Sequence, residues 1–183
     1  MPHGVRYVKS SVKTASAQIS AYGGKVWDWS LLSDGASVGY ARLINGTPIT
    51  LDYDSGGAAT PTIGETITGA GGRVGTLVSY TTASGTWGGG DAAGVMTLII
   101  CSGGVASLFT NNEALAGSTS GADMATTDGT GDAGTGGTEI ESLKVSATAS
   151  DVTMRDYSQG RSFGVLYLYV EDCTVSVGYT DNT

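Results

Sequence analysis

Hydrolysis of a glycosidic bond needs two carboxyl groups at a set separation, and five acidic residues could supply them: Glu65, Asp91, Glu113, Glu139 and Glu141. Nothing in their spacing brings two of them to a working distance. Glu65 and Glu113 instead share a local pattern. Ile63–Gly69 reads Ile-Gly-Glu-Thr-Ile-Thr-Gly, and Asn112–Ala122 reads Asn-Glu-Ala-Leu-Ala-Gly-Ser-Thr-Ser-Gly-Ala. Glutamate, one residue, Ile or Leu, one residue and Gly recur as Glu65/Ile67/Gly69 and Glu113/Leu115/Gly117, each after an apolar anchor, Ile63 or Phe109. A short alternating strand that ends on glycine is a hairpin unit. The pattern places both glutamates at equivalent turns, where a carboxylate accepts backbone N–H bonds, and it assigns no catalytic residue.

The other reactive side chains form no constellation. A Ser-His-Asp or Cys-His arrangement would have to use His3, the single histidine, beside the N-terminus. Cys101 and Cys173 are too few for a disulfide framework or a zinc site and read as two buried free thiols. No Walker-type Gly-Lys-Ser/Thr occurs, and Gly88-Gly89-Gly90 precedes Asp91, which would repel a phosphate. Asp128, Asp132 and Glu139 fall at the first, fifth and last positions of a twelve-residue calcium loop. Ala133 stands where that loop needs glycine, so a Gly/Thr-rich linker accounts for the segment as well. No cofactor is expected. Trp27, Trp29 and Trp87 could line a sugar-binding surface, but aromatics at alternating strand positions are more often core or interface.

These residues must be positioned by strands. Helical periodicity is nowhere sustained over two turns, and Ser16–Tyr22 has room for a short turn at most. Period-two alternation predicts strands at Val26–Leu32, Val38–Ile44, Arg73–Thr81, Val95–Cys101, Leu143–Thr148, Val152–Asp156, Phe163–Val170 and Thr174–Thr180. Trp27, Trp29 and Leu31 are expected on one face of the first, with Asp34-Gly35 turning into Val38–Ile44 as the return strand of a hairpin. Asn45-Gly46 is a second turn signal. Many short strands bounded by turn residues predict an all-β chain, an antiparallel β-sandwich or jelly-roll-like domain.

The texture changes along the chain. Of the 30 glycines, 21 lie between Gly56 and Gly137, whereas Arg73 is the single basic residue there. This contrast predicts a sandwich domain in two halves, residues 1–53 and 139–183. A Gly/Thr-rich β lobe, residues 54–138 with a flexible loop over 123–138, is inserted between them. Net charge is −8, and no basic run exists to displace counterions from nucleic acid. No apolar run approaches a membrane span, and the N-terminus lacks the apolar region of a secretory signal.

Gly64–Gly69, the strand Val74–Tyr80 and the later Asn-Glu-Ala-Leu-Ala-Gly-Ser-Thr-Ser-Gly resemble a small β module of tailed-bacteriophage virion proteins. Those modules read Gly-Glu-x-Val/Ile-x-Gly, then a Thr-Ser-Gly-Ala turn, then a Val-rich strand. Here Ala70-Gly71-Gly72-Arg73 replaces the first turn, whereas the second copy keeps Thr119-Ser120-Gly121-Ala122 and has Asn112 for the leading glycine. Ser11–Gly46 also resembles phage head or tail accessory domains. The resemblance covers about two-thirds of the chain. It implies a structural virion protein, with no catalytic residue carried over.

The expectation is a capsid decoration protein on the outer surface of the particle, made in the host cytoplasm. It would associate with itself, a trimer being one symmetric option, and with a major capsid or other virion protein, without nucleic acid or membrane. A tail fibre, adaptor or tail-associated component is the alternative, and a weakly glycan-binding carbohydrate-binding module a further one. Interface candidates are Trp27, Trp29, Trp87 and the basic residues Arg6, Lys9 and Lys13 of an N-terminal arm.

Overall fold

The computed structural model describes residues 9–103, 109–129, 131, 134–148 and 151–181. These residues form fourteen β-strands, one short 3₁₀ turn and no α-helix, and all strand pairs are antiparallel. The chain divides into two units, residues 1–47 with 138–183 and residues 48–137. The strand Ile49–Gly56 therefore belongs to the inserted unit. The boundary expected after residue 53 is drawn too late because aromatic and acidic texture continues into that strand.

The discontinuous unit holds two four-stranded sheets. One has the order β1 (Lys9–Lys13), β14 (Cys173–Asp181), β3 (Gly24–Ser33), β12 (Val152–Phe163). The other has the order β11 (Thr138–Val145), β4 (Gly39–Asn45), β13 (Leu166–Glu171), β2 (Ala17–Ser20). Both contribute to one core. Val26, Trp29 and Leu31 of β3 and Val175 and Val177 of β14 meet Ala41 and Leu43 of β4 and Leu166 and Leu168 of β13. Burying such side chains is worth about 1.5–3 kcal/mol each, so the alternation itself fixes which face turns inward.

Three local expectations are corrected. β3 and β4 are not partners in a hairpin: β3 pairs with β14 and β12, and β4 with β11 and β13. The Asp34-Gly35 turn therefore carries the chain from one sheet to the other, with the Asp34 carboxylate accepting from the amides of Ala36 (2.8 Å) and Ser37 (3.2 Å). On β3 the register shifts at Val26–Asp28, so Val26, not Trp27, joins Trp29 and Leu31 in the core. Within Ser16–Tyr22, residues 17–20 form β2 rather than a turn.

The inserted unit is a closed six-stranded barrel. Around it run β10 (Gly121–Thr127), β5 (Ile49–Gly56), β8 (Ala92–Gly103), β7 (Arg73–Ser84), β6 (Thr66–Gly69) and β9 (Ala114–Gly117), back to β10. That order is two interleaved copies of a three-stranded unit, β5-β6-β7 and β8-β9-β10. Exchanging the copies leaves every neighbour relation unchanged: β5 with β8, β6 with β9, and β7–β8 with β10–β5. Ile49, Leu51, Tyr53, Ile67, Leu77, Met96, Leu98, Phe109 and Leu115 fill the interior. Closure removes the exposed edges that short strands otherwise present. Residues 123–127, expected in a flexible loop, are part of β10, and 125–127 pair with β5 and β9.

Candidate functional site: two carboxylate clasps and an outward sheet face

Glu65 and Glu113 occupy equivalent places in the two copies, just before β6 and β9. Each is buried, with 5 % and 6 % of its surface exposed. Glu65 Oε1 accepts from the Thr62 amide (2.7 Å), and Oε2 from the amides of Thr119 (2.9 Å) and Ser120 (3.0 Å). The Ser120 hydroxyl lies 3.0 Å from both oxygens. Glu113 repeats the arrangement. Oε2 accepts from the Thr110 amide (2.7 Å) and hydroxyl (3.1 Å), and Oε1 from the Gly71 amide (2.5 Å). Each carboxylate thus closes its own approach turn and also holds the turn of the other copy's hairpin. Two flanking backbone bonds obey the same exchange: Ala70 N to Ala114 O (3.1 Å) and Ser118 N to Thr66 O (2.9 Å).

The glycines around the clasps follow from this geometry. A Cβ at Gly69 would overlap Glu113 Oε1, and one at Gly117 would overlap Ser120 Oγ and Glu65 Oε2. The residue before each glutamate has left-handed backbone, Gly64 at φ 87° and Asn112 at φ 56°. Asparagine tolerates that region better than other non-glycine residues, which explains why the second copy can lose its leading glycine. Burial alone would push the Glu65 carboxyl up. The hydrogen bonds from Ser120, Thr119 and Thr62 outweigh it and hold the group below the usual carboxylate range. A carboxylate whose lone pairs are engaged by fixed N–H donors is set to anchor turns.

Sequence reasoning found the repeated Glu-x-Ile/Leu-x-Gly but missed the threonines. Thr62 and Thr110 each stand three residues before the glutamate and supply the local amide. The shared pattern is therefore Thr-x-x-Glu-x-Ile/Leu-x-Gly, and the signal was present in both segments. Also missed was Thr127, whose hydroxyl accepts from the Glu113 amide (2.8 Å) and donates to Thr110 O.

The remaining candidates are dispersed. Trp29 is 1 % and Trp87 7 % exposed, so neither is available as an interface or sugar-binding residue. Trp29 is drawn into the core to which both sheets contribute because it falls on the inward phase of β3. Trp87 sits on the 3₁₀ turn Trp87–Gly89, whose cap Thr86 accepts from Gly89 N, and it stacks on Tyr53 (centroids 5.1 Å) with Tyr80 edge-on (5.9 Å). Trp27 is half-buried, donates Nε1 to Thr180 Oγ1 (3.1 Å) and has the Lys25 ammonium 5.7 Å from its ring centroid. Arg6 and His3 lie outside the described residues. Lys9 and Lys13 are the ends of β1, paired with Tyr179 and Val175, so residues 9–13 belong to the sheet and are not a free arm.

Asp91 accepts from Thr86 N (2.9 Å) and closes the loop between β7 and β8. Glu141 accepts from Arg155 Nε (3.0 Å) and from the Tyr157 hydroxyl, whereas Glu139 lies 3.8 Å from Arg42. Of the calcium-loop residues, Asp132 lies outside the described residues, and Asp128 and Glu139 fall in different units. No group of three His, Cys, Asp or Glu side chains among the described residues could hold a metal ion. Cys101 and Cys173 are free and buried, and burial pushes both thiols up to about 11. Arg73 is itself buried, donates Nη2 to Gly134 O (2.5 Å) and lowers the Cys101 value only in part.

No known protein family, curated protein or solved structure matches this chain.

The remaining distinctive surface is the outward face of the sheet β1-β14-β3-β12. Cross-strand register sets its rows: Thr174, Leu32 and Val152 in one, Val12, Ser176, Ser30 and Met154 in the next. Neither row contains a charge. Val12 is 64 % and Met154 67 % exposed, and Leu32 and Val152 are also exposed.

Proposed function

We propose that the chain is a structural protein of a bacteriophage particle, a capsid decoration protein that stabilises the head by non-covalent contacts. In this reading the discontinuous unit is an antiparallel β-sandwich that presents the contact surface, and the clasped barrel is its inserted, self-contained lobe. The observation that carries the proposal is the pair of uncharged outward rows that expose Val12, Leu32, Val152 and Met154 in a chain of net charge −8. Side chains of this kind gain by leaving water. The resemblance of Gly64–Gly69 and Asn112–Ala122 to virion β modules points the same way. The repeated carboxylates Glu65 and Glu113 are engaged by backbone donors. The partners are further copies of the chain in a symmetric oligomer and a major capsid or other virion protein, and the working location is the outside of the particle.

The test is electron microscopy of purified particles that carry a labelled copy. A lattice of label over the head is the expected result. Label at one vertex or along a tail would instead make the chain a tail fibre, adaptor or tail-associated protein, and unlabelled particles would remove the virion reading. Because residues 9–13 are a sheet strand, a test of the N-terminal arm must remove residues 1–8 and leave β1 in place. A glycan-binding role would have to use Trp27, the only one of the three tryptophans that is not buried. Glycan-array binding lost in Trp27→Ala would support that role.

A further inference from the structure

The outward face of β1-β14-β3-β12 has a third row beside its two uncharged ones. There Asp28 of β3 stands directly opposite Asp156 of β12. Like charges facing each other across strands repel, and neither carboxylate has an ion pair with a described residue. The pair is built into the sheet. The Asp28 carboxylate lies over Gly178 of β14, where a Cβ would stand 2.5 Å from Oδ2. The face therefore combines an apolar cluster, Leu32, Val152 and Met154, and Val12 set apart from it by Ser176 and Ser30, with one acidic row that has no ion pair to a described residue. Lys25 in the row beyond is engaged by Gln159 O and the Trp27 ring.

Size and charge decide what covers it. Four strands about 4.8 Å apart and three rows about 6.8 Å apart outline roughly 400 Å². A stable two-body interface buries about 800 Å² on each partner, so this face alone does not hold a dimer in solution. A second copy would also bring another net charge of −8 against the acidic border. We propose that the face docks on a different protein whose contact surface has an apolar centre bordered on one side by lysine or arginine. The proposal rests on the reading of the chain as an assembly protein. Each docking is weak, and copies arrayed on a repeating surface are held by their number.

The full-length protein is passed over hexylamine-agarose, hexyl-agarose and amino-agarose, which present both features, the apolar one or the cationic one. Retention should be strongest on hexylamine-agarose. It should fall about tenfold there for Leu32→Ser/Met154→Ser and for Asp28→Asn/Asp156→Asn, each removing one feature. Asp52→Asn/Asp123→Asn makes the same charge change on the barrel and should keep wild-type retention. An equal loss in that control, or unchanged retention in the two face variants, overturns the proposal. Circular dichroism of each variant separates loss of the face from loss of the fold.

The same variants added to particles separate the two readings. If the face variants occupy particles as wild type does, the docking face is wrong and the virion reading stands. If wild type does not bind particles at all, the virion reading fails and the retention series alone decides the face.

Discussion

Replacing Glu65 by glutamine tests the clasp with little change in shape. The carboxylate accepts the Thr62 amide on one oxygen and the Thr119 and Ser120 amides on the other. An amide keeps one acceptor and puts an NH₂ donor in the second place. Whichever way it turns, at least one of these part-buried N–H groups then faces a donor. An orphaned buried donor costs about 1–3 kcal/mol, and the surviving bonds lose the strengthening of the charge. Glu65→Gln should therefore destabilise the barrel by about 3 kcal/mol and Glu65→Ala by about 4 kcal/mol. Glu113→Gln should cost a similar amount, since Gly71 and Thr110 stand in the same relation to it.

The assay is urea unfolding at pH 7, with Asp52→Asn as an exposed control. The pH dependence gives a second reading. The folded carboxyl lies below its ordinary value, so its contribution is complete above the unfolded value, about 4.3, and is lost as pH falls through the lower folded one. The gap between wild type and Glu65→Gln should be constant from pH 7 to 5 and shrink below about pH 4. A gap at pH 7 no larger than that of Asp52→Asn would refute the clasp, and so would one that survives undiminished at the acid end.

Gly117→Ala should destabilise the barrel by at least about 2 kcal/mol because its Cβ would overlap Ser120 Oγ and Glu65 Oε2, whereas Gly88→Ala, with open space around it, should be neutral; thermal melts compare the two. Trp87→Ala should cost about 3–5 kcal/mol by emptying the site between Tyr53 and Tyr80, and Trp87→Phe clearly less, in the same urea series. Cys101 and Cys173 should resist iodoacetamide at pH 8 in the folded protein and react fully in denaturant, because burial holds both thiols near 11; mass spectrometry counts the adducts, and rapid native labelling of either would contradict its placement.

Much of the strand content was legible because period-two alternation responds directly to one-sided burial. Cys173, Val175, Val177 and Tyr179 alternate in the sequence and are buried in the fold. Partnership between strands was not legible. A short turn such as Asp34-Gly35 joins strands equally well within a sheet and across a core, and what separates β3 from β4 is pairing with β12, β13 and β14, more than a hundred residues away. Trp27 was placed on the wrong face because the register shift between residues 26 and 28 reverses the phase without a local signal. The repeated glutamates were legible as turn residues. Their exchange between copies was not, since the amides of Thr119 and Ser120 lie more than fifty residues from Glu65.

The clasps also explain how a glycine-rich segment forms a defined barrel. Glycine loses more conformational freedom on folding than any other residue, and the turns at Gly69–Gly72 and Gly117–Gly121 contribute few apolar atoms to repay it. Charge-assisted bonds from backbone amides to two buried carboxylates act at those turns. Each glutamate belongs to one three-stranded copy and fixes the turn of the other, so neither copy has its turns fixed alone. The duplication thereby couples the halves: a defect at Glu65 frees the Ser118–Ser120 turn as well as the Thr62 approach, and β9 loses order along with β6. Hydrogen exchange in Glu65→Gln should show this coupling as faster exchange at the Thr119 and Ser120 amides, while the Gly71 amide, held by Glu113, responds less.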